Sequence, residues 1–154
     1  MFPRMTPPRP VLGDFTFVHP LRVRWSELDP QGIVFNPNYF VYFDIAAGEY
    51  LRAIGLPYPE GLHAVGADLF TVNAQANFRA SAVFDDELQI GVRVEQLGRT
   101  SVRFLIAIFR GDALLTDGTL TQVTAKPDRS GSVPLPASFV ERILAFERVR
   151  PART

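Results

Sequence analysis

Apolar residues recur along this chain with two different periods, and each change of period marks a new element. From Phe15 to Trp25 the apolar positions Phe15, Phe17, Leu21, Val23 and Trp25 leave Arg22 and Arg24 on alternate sites, which predicts a strand. Pro20 bends this strand or places it at a sheet edge. From Asn38 to about Ile54 the spacing changes to three and four, through Tyr39, Tyr42, Phe43, Ala46, Tyr50, Ala53 and Ile54, which predicts a helix. Phe40, Val41, Ile45 and Leu51 widen its apolar surface, so the helix is expected to be enclosed on most sides, with Gly55 and Pro57 ending it. Period two then returns. Asp68 to Ala82 alternates weakly, whereas Leu88, Ile90, Val92 and Val94 alternate cleanly with Gln89, Gly91, Arg93 and Glu95. Leu97-Gly98-Arg99 reads as a hairpin turn into Val102, Phe104, Ile106 and Ile108. Gly111-Asp112 turns the chain into a Thr-rich strand from Ala113 to Ala125. After a loop over 128–136, Phe139, Ile143 and Phe146 predict a short amphipathic helix. Strand, long helix and four more strands describe an α+β domain: an antiparallel sheet of about five strands wrapped around one helix.

Composition changes this picture little. The chain of 154 residues suits one domain, expected over 14–147, with a proline-rich arm at 1–13 and a tail at 148–154. Sixteen basic residues balance sixteen acidic ones, which argues against nucleic acid or an anionic membrane as partner. With no cysteine there are no disulfides, thiolate metal sites or cysteine nucleophiles. No apolar run is long enough to span a bilayer, and the first residues lack a signal peptide's apolar core, so a cytoplasmic enzyme or binding protein is expected.

The candidate chemistry lies where the first strand gives way to the helix, in Asp29-Pro30-Gln31-Gly32-Ile33-Val34-Phe35-Asn36-Pro37-Asn38-Tyr39. Asp-Pro-Gln-Gly suits a type I turn, and Asn36-Pro37 a helix N-cap followed by proline at the first helical position. Proline has no N–H, so Asn36, Asn38 and Tyr39 supply the free donors at the helix start. A carboxylate before such an anion-binding terminus is what acyl transfer needs, although the same residues also suit a plain turn and cap.

These residues resemble the hot-dog fold acyl-CoA thioesterases, in particular the 4-hydroxybenzoyl-CoA thioesterase group. The resemblance is carried by Asp29-Pro30-Gln31-Gly32-Ile33-Val34-Phe35 with Asn38-Tyr39, Gly55-Leu56-Pro57, Phe84-Asp85-Asp86, Leu97-Gly98-Arg99-Thr100-Ser101 and Val133-Pro134-Leu135-Pro136, spanning about residues 15 to 145. It implies a hot-dog fold, an acyl-CoA substrate, no separate cofactor or metal, and a homodimer or homotetramer whose sheets join edge to edge with active sites at the subunit boundary. It further implies that Asp29 is the catalytic carboxylate and that the Asn36 N–H polarises the thioester carbonyl. Gly32, Asn38, Tyr39, Asp44, Arg99 and Ser101 then become candidates for substrate contact, Asp44 near the acyl group and Arg99 near the coenzyme A phosphates. Asn36 departs from relatives with an aromatic residue or histidine there, and Arg79-Ala80-Ser81-Ala82 replaces a segment that often holds proline.

Rival chemistry is thin. Asp44 and Glu49 are other carboxylates on the helix, with Arg52 placed to pair with them. His19 and His63 are the only imidazoles and read as incidental; Ser26 and Ser101 lack a triad arrangement. A hot-dog hydratase or dehydratase acting on a hydroxyacyl thioester, and a non-catalytic acyl-thioester binding protein, remain the alternatives.

Overall fold

A computed structural model describes residues 6–154, so residues 1–5 of the expected arm lie outside the described residues. The elements are β1 (Phe17–Arg22), α1 (Pro37–Ala53), the one-turn α2 (Glu60–His63), β2 (Asp68–Phe78), β3 (Glu87–Leu97), β4 (Ser101–Arg110), β5 (Ala113–Ala125), α3 (Ala137–Phe146) and β6 (Ala152–Arg153). They form one sheet in the order β1-β3-β4-β5-β2, antiparallel throughout, with the two-residue β6 added in parallel to β3. Residues 148–154, expected as a tail, thus contribute a strand, and Arg148 donates to the carbonyls of Gly13 and Phe15.

The sheet curls around α1 because both surfaces are apolar. Tyr42, Phe43, Ala46 and Tyr50 are completely buried, packed with Ile90, Val92, Val94, Phe104, Ile106 and Ile108. One glycine permits the approach: a Cβ at Gly118 would run into the Gln75 carbonyl and come within 2.9 Å of the Phe43 ring. The helix ends as expected. Gly55 adopts φ +82°, its N–H reaches the Arg52 carbonyl, and the Leu56 N–H reaches Leu51, the paired bonds of a Schellman motif.

Three expectations need correction. The first strand covers Phe17–Arg22 rather than Phe15–Trp25, because Trp25 enters a short 3₁₀ turn and stands 73% exposed against Phe84. Pro20 does sit on an edge strand, where its missing N–H costs no ladder bond. The second strand stops at Phe78 instead of Ala82, where the chain leaves β5 and runs beside Ile33 and Val34. Finally, α1 is not enclosed on most sides within one chain. Phe40 and Val41 stay exposed, as do Val72 and Phe78 on β2, the other edge of the sheet.

Candidate active site

The segment before α1 folds into a tight hairpin. Leu28 bridges to Val34, the Asp29 N–H donates to the Ile33 carbonyl, and the Gly32 N–H donates back to the Asp29 carbonyl at 2.9 Å. Gly32 has φ +75°, a left-handed conformation that completes a turn with a one-residue bulge and favours glycine. Half-buried Asp29 stands at the hairpin's tip. Its Oδ1 accepts the Gln31 N–H at 2.8 Å, while Oδ2 has no partner among the described residues.

The helix start differs from the expectation of three free donors. The Asn38 N–H donates to Phe35 and the Tyr39 N–H to Asn36, at 2.9 and 3.2 Å, while Phe35 itself donates to Glu27. Asn36 is the N-cap residue, yet it has helical dihedrals and its side chain makes no cap bond. That leaves the Asn36 N–H as the one donor of this run without a partner among the described residues, at the positive end of a 17-residue helix. It stands beside a cavity of about 180 Å³ lined by Ile33, Val34, Asn36, Tyr39, Phe78 and the chain of 79–81.

Asn38 and Tyr39 are part of this corner but are spent on building it. The Asn38 amide donates to the Glu27 carbonyl at 2.9 Å. The Tyr39 hydroxyl accepts the Ala82 N–H at 3.1 Å, with its ring edge-on to Phe78. Asp44 lies farther along α1, where it lines a second cavity of about 230 Å³ with Tyr58, Thr71, Gln122 and apolar residues of α1 and β2. Glu49 pairs with Arg52 at 3.2 Å, as its spacing suggested. Arg99 and Ser101 are not brought to Asp29. Ser101 pairs with Val123, which pairs with Phe70, whereas the cavity beside Asn36 adjoins Phe78. Those points lie about 26 Å apart along β2 at roughly 3.3 Å per residue.

Two connections were missed from sequence. His63 is not incidental to its surroundings: its Nε2 lies 3.3 Å from Asp68. Burial alone would raise the Asp68 carboxyl, but the Leu69 N–H, the Tyr58 hydroxyl and His63 together hold it below its ordinary value. Glu27 is the larger omission. It accepts the Arg24 N–H and guanidinium and the Tyr42 hydroxyl, the last at 2.7 Å, with its side chain only 12% exposed. Burial pushes this carboxyl up, yet those donors outweigh it and keep it below the usual range. The Arg24–Glu27 spacing was visible in the sequence; the partner on α1, fifteen residues away, was not.

No helix is long and apolar enough to cross a membrane among the described residues, and no group of three or more His, Asp or Glu there could hold a metal ion. The profile of the thioesterase superfamily matches residues 31–116, starting two residues after Asp29. A protein of Aquifex aeolicus named as an esterase is 30% identical over 118 residues, covering 77% of this chain and 91% of its own. The 4-hydroxybenzoyl-CoA thioesterase of Pseudomonas sp. is 29% identical, with 78% and 92% covered. A Thermus thermophilus thioesterase solved with coenzyme A and zinc superposes with a TM-score of 0.75 at 27% identity, covering 87% of this chain and 96% of that one. The hot-dog architecture and these matches agree: the chain belongs to the thioesterase superfamily, whose members hydrolyse thioesters.

Proposed function

We propose that this protein hydrolyses an acyl-CoA thioester to the free acid and coenzyme A at the junction of the 28–34 hairpin and α1. The observation that carries the reading is the single unspent Asn36 N–H at the helix start, one short hairpin from a carboxylate with an unpartnered oxygen. The relatives named as coenzyme A thioesterases supply the substrate class.

In this mechanism the thioester carbonyl oxygen accepts the Asn36 N–H, and the helix dipole stabilises the negative charge that develops there. Asp29 either attacks the acyl carbon, giving a mixed anhydride that water later opens, or takes a proton from an attacking water. In both routes the carbon–sulfur bond breaks and coenzyme A leaves as a thiolate that takes up a proton. Water supplies the new carboxyl oxygen.

A second copy of the chain completes the cleft in this reading. Two β2 edges paired antiparallel about a twofold axis bring the Phe78 end of one chain beside the Phe70 end of the other. That sets the partner's Asp44 cavity near Asn36 and covers Val72, Phe78, Phe40 and Val41. Light scattering of dilute protein is expected to give a dimer or a dimer of dimers; an active monomer contradicts it. Arg99, exposed in the β3–β4 turn, is the candidate contact for the coenzyme A phosphates. Arg99→Ala is expected to raise KM for acyl-CoA by about ten- to a hundredfold and to leave acyl-pantetheine unaffected. The reading as a whole is tested by a free-thiol assay across aryl and alkyl acyl-CoAs. Turnover of at least one class is expected, and binding without thiol release across the panel would favour the non-catalytic alternative.

A further inference from the structure

We propose that Glu27 is a positioning residue for thioester hydrolysis, fixing the separation between Asp29 and the Asn36 N–H; this rests on the active-site reading above. Asp29 and Asn36 belong to different pieces of structure, a turn and a helix terminus. Neither touches the other's partners, so something has to set their distance. Residue 27 is joined to both. It stands two residues before Asp29, and its carbonyl accepts the Phe35 N–H at 2.9 Å immediately before Asn36. The same carbonyl accepts the Asn38 amide at 2.9 Å, in the first turn of α1.

The side chain adds a third tie farther along the helix. Oε2 accepts the Tyr42 hydroxyl at 2.7 Å and the Arg24 N–H at 2.8 Å, while Oε1 accepts the Arg24 guanidinium at 2.9–3.0 Å. The carboxylate therefore locks the 3₁₀ turn Trp25–Glu27 on one side and grips a completely buried helix residue on the other. The bond to Tyr42 fixes how the hairpin sits on α1, and the carbonyl bonds fix where along the helix start it sits. The donors around Glu27 hold its carboxyl below the ordinary range, so the grip is intact at neutral pH. Glu27 itself needs no contact with substrate. Reaction rates fall steeply when reacting groups move by about 1 Å, so loosening this joint is expected to act on turnover.

The test is steady-state kinetics of Glu27→Gln, with Tyr42→Phe as a second variant that keeps the ring in the core. Rates are expressed per folded molecule from circular dichroism and chromatography. Glu27→Gln is expected to lower kcat by about ten- to a hundredfold with KM within a factor of about two, and Tyr42→Phe to lower kcat less. In the Asp29→Asn background, Glu27→Gln is expected to cost little further activity, because the geometry it protects no longer serves a carboxylate. Wild-type kcat in Glu27→Gln, or a loss that rises and falls only with the folded fraction, overturns the proposal. A full additional loss in the Asp29→Asn background does the same. Should Glu27→Gln fail to fold, Tyr42→Phe decides: reduced kcat at constant KM supports the role, and unchanged kcat refutes it. Asp29→Asn at wild-type activity would instead refute the underlying active-site reading, so the two failures are told apart.

Discussion

Two of the three tyrosines on helix α1, Tyr42 and Tyr50, each donate a hydroxyl to a glutamate at 2.7 Å. The two carboxylates respond in opposite ways. Glu27 is held below the ordinary carboxyl range, although burial pushes it up, because the Arg24 N–H, the Tyr42 hydroxyl and the Arg24 guanidinium all favour the charged form. Glu147 is buried more deeply and pushed above that range. The Tyr50 hydroxyl and the Val94 N–H only partly offset the lost hydration, and no cation pairs with it directly among the described residues. An equal hydrogen bond from tyrosine therefore does not determine the ionisation; depth and an adjacent guanidinium do. The two sites also do different work. Glu147 accepts the Val94 N–H where β3 has lost β1, which pairs only as far as Val92, and has not yet met β6, which pairs from Gln96. It closes a gap in the sheet, whereas Glu27 joins the proposed catalytic turn to the helix.

Replacing Glu147 by alanine is the strongest challenge to this contrast. It orphans the Tyr50 hydroxyl and the Val94 N–H in the core, so a loss of about 2–5 kcal/mol is expected by equilibrium denaturation, with kcat per folded molecule unchanged. A large fall in kcat would show that the far end of α1 also governs the site. The pH dependence separates the pair further. The folded Glu147 carboxyl titrates above its unfolded value, so the native state holds the proton more tightly. Its contribution to stability is greatest below the unfolded value of about 4.3 and declines as pH rises through the raised folded value. Glu147→Gln should remove that decline, which pH-resolved denaturation reads directly. Glu27 has the opposite sign: its stabilisation is present above about 4.3 and is lost as pH falls through the lowered folded value. Glu27→Gln is therefore expected to be less stable than wild type at neutral pH, with the difference closing in acid. The smallest effect is expected for Tyr42→Phe, about 1.5–3 kcal/mol for one hydrogen bond to a charged acceptor.

Much of this architecture is legible in the residue pattern because both surfaces that meet in the core are periodic. The α1 stripe and the alternation over Leu88–Val94 place the helix on the sheet, and Gly55 marks the helix end that the Schellman bonds confirm. Trp25 misled because apolar alternation encodes side-chain character and not exposure. Its ring packs edge-on to Phe84 at the surface instead of continuing the strand face. Ala80-Ser81-Ala82 misled because small residues are compatible with a strand, while the bonds from Arg79 and Ala80 to the one carbonyl of Leu115 show that the β2–β5 ladder has ended. At the candidate site, the turn of Asp29 and Gly32 and the helix start after Asn36 were legible from local residue preferences, whereas the cap bond expected of the Asn36 side chain is not made. The spent donors of Asn38 and Tyr39 depend on the fold of residues 35–36, and the Glu27–Tyr42 bond on how the hairpin seats against α1. Neither is written in spacing alone.

The central claim is that Asp29 performs the chemistry beside the Asn36 N–H, and Asp29→Asn tests it most directly. The substitution keeps an acceptor for the Gln31 N–H, so the hairpin and the melting temperature should be nearly unchanged. Measured on the best acyl-CoA found in the thiol-release assay, kcat is expected to fall by about 10²–10⁴-fold. Turnover within a few-fold of wild type by a folded Asp29→Asn protein would contradict the account.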